Sequence, residues 1–256
     1  MTFPSGLDIA RGIGQGVTKD HKFGRNFSVG NVFEPIAIGG IYRTPQLGSQ
    51  TTLRIKAGGS ADDTANGSGA RAITFVGLNE LGFEISETIA TNGADASETT
   101  TQTFLRLYRA FVSASGTYAT QFAGSHAAAI VIENGSGGTD WATINNTTIP
   151  RSQTQIGIFT VPKPQTAFIS NIKISCNADK SVNLILFQRQ NILQTSPPYS
   201  AMRVVEEFPQ ISGLHSVSFD PPLGPFPPLT DVGFMGRAAT TTADISISYE
   251  IIEVMP

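Results

Sequence analysis

The final segment, ADISISYEIIEV (243–254), alternates apolar and polar residues almost without a break. Ile245, Ile247, Tyr249 and Ile251 fall on one side of it, and Ser246, Ser248 and Glu250 on the other. Successive side chains of a strand point to opposite faces, so this period predicts a β-strand with one dry and one wet face. The same signature recurs in TTLRIKA (51–57), RAITFVGL (71–78), FEISETIAT (83–91), AAAIVIENG (127–135), TAFISNIKISCN (166–177) and SVNLILFQRQ (181–190). Short alternating runs at this spacing restrict the chain to an all-β fold of sandwich or jelly-roll type.

Composition agrees. Only 14% of residues are charged, so the polar surface must come largely from Thr, Ser, Asn, Gln and Gly, residues that suit strands and turns better than helices. Punctuation by 26 Gly and 15 Pro keeps the runs short. The helical period of Phe104, Leu107, Tyr108 and Phe111 competes with a strand reading of the same residues, and the β-rich neighbourhood favours the strand. RAITFVGL and FEISETIAT, joined by NELG, read as a hairpin with Phe83, Ile85 and Ile89 turned inward.

Residues 1–31 carry no lasting period. Glycines at 12, 14, 16, 24 and 30 punctuate them, which predicts an extended N-terminal arm that must be held by another surface. Two successive antiparallel sandwich or jelly-roll-like domains, 32–149 and 150–256, fit the remaining length; one larger sandwich is the alternative. HSVSFDPPLGPFPPLTD (215–231) reads as a Pro-rich loop whose stiff polyproline character could present Phe219, Leu223 and Phe226 to a partner or close one end of the second domain.

Several functions are disfavoured. With a net charge of −3 and no basic stripe, a nucleic-acid partner is not expected. No apolar run approaches the length of a membrane span, and the N-terminus lacks the basic-then-apolar order of a secretory signal, so neither membrane nor secretion is expected. Cys176 is alone in an alternating run and reads as a small buried residue. His21, His126 and His215 have no carboxylate or Cys at metal-ligand spacing, so no metal or other cofactor is expected. No G-x-S-x-G elbow stands between a strand and a helix, and Gly67-Ser68-Gly69 reads as a turn. Gly12-Ile13-Gly14-Gln15-Gly16 lacks the strand and helix that a dinucleotide fingerprint requires. The oxygens of the Asp62–Ser68 loop could face Ca²⁺, but Asp and Asn in turns bond their own backbone. Glu80, Glu84 and Glu87 read as charges on a wet strand face rather than a glycosidase pair.

One stretch has a familiar order of features. R-I-K-A-G-G-S-A-D-D-T-A-N-G-S-G-A-R-A-I-T-F-V-G-L-N is followed by E-I-S-E-T-I-A-T-N-G and then T-F-L-R-L-Y-R-A, all within 54–110. This resembles a family of structural proteins of tailed bacteriophages, especially marine ones, in its D-T-A-x-G-x-G-A-R loop (63–71), G-L-(D/N) turn (77–79), E-T-I-A-T-N-G return strand (87–93) and F-x-R-x-x-R segment (104–109). KFGRN (22–26) and FTVP (159–162) also match, whereas SGTYATQFAGSHA (115–127) departs as an insertion. The resemblance implies a non-enzymatic virion subunit, made in the host cytoplasm, whose partners are other virion proteins and copies of itself. Lys22, Phe23, Arg25 and Phe27 in the arm, with Phe219, Leu223 and Phe226, are the candidate contact residues. The alternative is a receptor- or carbohydrate-binding tail module stacking sugars on Trp141, Tyr118 or Tyr199.

Overall fold

The computed structural model describes residues 8–9, 11, 16–44, 50–118, 124–146, 152–239 and 241–256. Asp8 and Ile9 are helical; the named elements among the described residues are antiparallel strands and one 3-10 turn at Ile38–Gly40, and none of these residues forms a helix long and apolar enough to cross a membrane. The chain divides into two compact units. The first comprises the described residues of Met1–Ile36, Gly157–Ile192 and Pro198–Pro256; the second, those of Ala37–Ile156 and Leu193–Pro197.

In the first unit, strands β1 (Val17–Val29), β10 (Thr166–Cys176), β13 (Leu214–Phe226) and β15 (Ala243–Val254) form a four-stranded sheet in the order β1-β15-β10-β13. A second sheet runs β12-β11-β14-β2, from Arg203–Ile211, Val182–Arg189, Asp231–Ala238 and Glu34–Pro35, with β9 (Ile158–Thr160) also paired to β14. The two sheets pack face to face. Phe234 of β14 meets Tyr249 of β15 at 5.5 Å between ring centroids and Phe208 of β12 at 6.2 Å. The inward Ile245, Ile247, Tyr249 and Ile251 are all buried, as their alternation predicts.

The second unit holds two three-stranded sheets. One has the order β3-β7-β8 (Leu53–Ile55, Ile130–Asn134, Asp140–Ile144), the other β5-β4-β6 (Glu84–Ala90, Ala70–Leu78, Arg106–Ser115). Its core includes Leu53, Ile73, Phe75, Leu78, Phe104, Ile132 and Ile144, with Phe75 and Phe104 edge to face at 6.3 Å. The β4–β5 hairpin is in the expected register, from Leu78 opposite Glu84 to Ala72 opposite Ala90. The ambiguous stretch after Phe104 is a strand.

Three features differ from the reading of the sequence. The arm expected over 1–31 is, from Val17 to Val29, a 13-residue strand bonded to β15 over an unbroken register from Val17–Val254 to Asn26–Ile245. Its polar alternation hides the strand, because Lys22, Gly24 and Asn26 form its buried side. The boundaries also differ: β1 and β2 join the C-terminal strands, so the second unit is set between parts of the first rather than before it. The Pro-rich segment is strand through Pro221, Pro222 and Pro225, tolerated because β13 lies at a sheet edge and its pairing with β10 breaks register there. Residues 12–15 of the glycine string and residues 119–123 of the insertion lie outside the described residues.

Candidate interaction surface

The contact residues read from the sequence separate by face. On β1 the half-exposed Phe23, Arg25 and Phe27 form one row on the solvent side of the four-stranded sheet, while Lys22 is buried on the other. Arg25 is held from two directions. Its Nε donates to Asp244 Oδ1 at 2.8 Å, a second nitrogen donates to Oδ2, and the guanidinium carbon lies 4.4 Å from the Phe27 ring centroid. The Asp244 hydrogen bond raises the Arg25 pKa above its ordinary value, more than partial burial lowers it. A planar cation stacked on a ring and forked to a carboxylate is a pre-set contact element, since little side-chain freedom remains to be lost on docking.

Beside this row the sheet face is polar, with an open hollow of about 260 Å³ bordered by Arg25, Asp244, Ser175 and Ser246. Phe23 stands opposite Ser248 and Arg25 opposite Ser246; across β10 and β13 follow Lys173, Ser175, Ser216 and Ser218. An ion pair of Lys19 with Glu250 at 3.0 Å keeps the Glu250 carboxyl below its usual pKa. At the far edge Leu214 is 76% exposed. The face thus offers an aromatic–arginine edge, a hydroxyl-rich centre and an apolar far corner, a mixture found in wet protein–protein interfaces.

The β13 candidates do not join it. Phe226 is a core residue among Phe159, Ile169, Val232 and Tyr249. Phe219 and Leu223 are half-buried, and Leu223 is paired with the inward Ile169. The sequence reading missed Leu214, whose only local signal is a large apolar residue beside Gly213 at a strand start.

The remaining candidates are occupied. Asp63 is buried, its Oδ1 accepting from Ala70 N (2.7 Å) and Ala127 N (2.9 Å) and its Oδ2 from Ala128 N (3.1 Å). The Asp63 carboxylate is therefore occupied by backbone amides, one from Ala70 just after the loop and two from the distant Ala127 and Ala128. Its glycines are needed for close approach: a Cβ at Gly67 would lie 2.0 Å from Asp62 O, and one at Gly69 2.1 Å from Asp63 Oδ1. The Glu87 carboxylate accepts from the Thr101 and Gln102 backbone amides. Trp141 is buried with its Nε1 donating to Asn134 Oδ1, which removes it as a sugar platform; Tyr118 and Tyr199 are exposed but belong to different units. Burial pushes the Cys176 thiol pKa up. No group of three or more metal-ligating side chains occurs among the described residues.

No family model, curated protein or solved structure matches the chain.

Proposed function

We propose that the chain is a non-enzymatic structural subunit of a tailed-phage virion, assembling through multivalent contacts with other virion proteins and copies of itself. In this reading both units are antiparallel sandwiches related to jelly rolls, and the protein passes from the host cytoplasm into the particle. The resemblance of 54–110 supplies the class. The observation that carries the contact role is the Phe23–Arg25–Phe27 row, with Arg25 fixed by Asp244 beside a hydroxyl-rich sheet face. Repetition by symmetry multiplies contacts that are individually weak. The buried Trp141 counts against the carbohydrate-binding alternative.

Quantitative mass spectrometry on purified particles of the phage that encodes the chain tests this. Hundreds of copies would mark a head-associated protein, and about six, twelve or a small multiple a neck, tail or fibre-anchoring part. Absence from particles would overturn the proposal.

A further inference from the structure

The β4–β5 hairpin ends in the expected turn, a tip at residues 79–83, but one of its residues faces the other way. Phe83, expected inward, is 45% exposed, and Leu81 is 56% exposed. Neither residue is there through looseness. The Asn79 side-chain oxygen accepts from both Leu81 N and Phe83 N at 3.0 Å. Asn79 N donates to Phe83 O at 3.0 Å, and Gly82 N to Asn79 O at 3.0 Å, with Gly82 at φ 85, where a residue without Cβ is favoured. The turn is therefore locked while it holds two large apolar side chains in water. Beside it lies an open hollow of about 300 Å³, lined in part by Ile85, Thr101, Gln102 and Thr103.

The charge carried by the tip and the strand that follows it has one sign, while Arg106 of β6 stands opposite Leu78 with its side chain buried. From 72 to 105 the sequence contains Glu80, Glu84, Glu87, Asp95 and Glu98 and no Lys or Arg. Glu80 and Glu84, flanking the apolar pair, are both exposed. Glu80 is steadied by Gln50 Nε2 at 2.6 Å, and Glu84 accepts from the Tyr108 hydroxyl. Two such tips meeting about a two-fold axis would set glutamates against glutamates, on a chain whose net charge is already −3.

We propose that this tip is a docking peg for a different protein: Leu81 and Phe83 enter an apolar recess whose rim carries Lys or Arg facing Glu80 and Glu84. A rigid pair of apolar anchors within a polar frame is the arrangement in which few residues dominate binding, because ordering is complete before contact. The inference rests on the virion reading in one respect, that the partner is another protein of the same particle.

The test is made on particles grown with wild-type chain, Leu81→Ser/Phe83→Ser, Glu80→Lys, or Phe83→p-benzoylphenylalanine for photo-crosslinking. The wild-type chain is expected in particles; its absence overturns the virion reading and this partner with it. With wild type present, the serine pair should cut incorporation at least about tenfold while the purified variant keeps the wild-type thermal midpoint. Glu80→Lys leaves the apolar pair intact and should also lower incorporation. The crosslinker should join a different virion protein at a site next to Lys or Arg. Normal incorporation of both variants, or a crosslink to a second copy of this chain, would overturn the peg.

Discussion

Asp63 shows how one carboxylate can organise a long loop. Three backbone amides, from the buried Ala70 and from Ala127 and Ala128, converge on it, and Gly93 N donates to its carbonyl at 2.7 Å. Asp63→Ala would leave those donors without an acceptor, costing about 2–4 kcal/mol, read as a lower urea midpoint. Tyr249 is fully buried, and desolvation raises its pKa well above the ordinary value. The folded chain therefore keeps this proton where the unfolded chain releases it. The stabilisation is complete below about pH 10 and declines as pH rises further. Urea midpoints at about pH 8 and 11 should fall less for Tyr249→Phe than for wild type; equal falls would refute the assignment. His126 has the opposite sign. Burial lowers its pKa, and Nε2 lies 3.3 Å from Asn145 O. The neutral ring thus contributes stability above about pH 6.5 that is lost as pH falls. His126→Gln should flatten that acid slope in urea midpoints taken between about pH 5 and 8.

At the scale of elements, the edge strands show how close approach and register shape the first unit. β1 passes so near its own unit's loop that a Cβ on Gly24 would lie 2.3 Å from Gly157 N and Ile36 O, both backbone atoms with no means of turning aside. Gly24→Ala should therefore cost at least about 1–3 kcal/mol, seen as a lower thermal midpoint. This explains the centre of the KFGRN string: Gly24 is required by close approach, and Asn26 Nδ2 donates to Pro35 O at 3.3 Å while its oxygen accepts from Ser28 N. Arg25 alone of the polar residues there turns outward to the contact row. The opposite edge, β13, carries Pro221, Pro222 and Pro225, which lack the N–H that an added strand would need. Sheet extension is discouraged at that edge, leaving side chains on the sheet face to make the contacts.

At the scale of the molecule, the order of the chain and the order of the fold differ. A fragment of 37–156 contains every strand of the second unit and should give a β-type circular dichroism spectrum with a cooperative thermal transition. Removal of 1–30 deletes β1, the whole partner of one edge of β15, and should abolish the native transition of the first unit rather than leave its fold intact. A native-like transition in that truncation would mean that β1 is dispensable.

The strands with one apolar face were legible because alternation is written locally: β15, β10, β4 and β7 announce themselves wherever they end up. So was the hairpin, since two alternating runs joined by a short turn have few other solutions. Three things were not. β1 reads as an arm because its buried side is Lys22, Gly24 and Asn26, which give no apolar period, and because the strand that completes its ladder, β15, is the last of the chain. Phe226 and Phe83 exchanged their expected roles, one entering the core and the other standing in water. Arg25 became a fixed contact element only because Asp244, 219 residues on, reaches it. Period and turn chemistry are properties of neighbours along the chain, and the sequence determined them. Strand partners, burial and the pairing of charges depend on which distant backbone completes each hydrogen-bond ladder and excludes water, and that the tertiary structure decided.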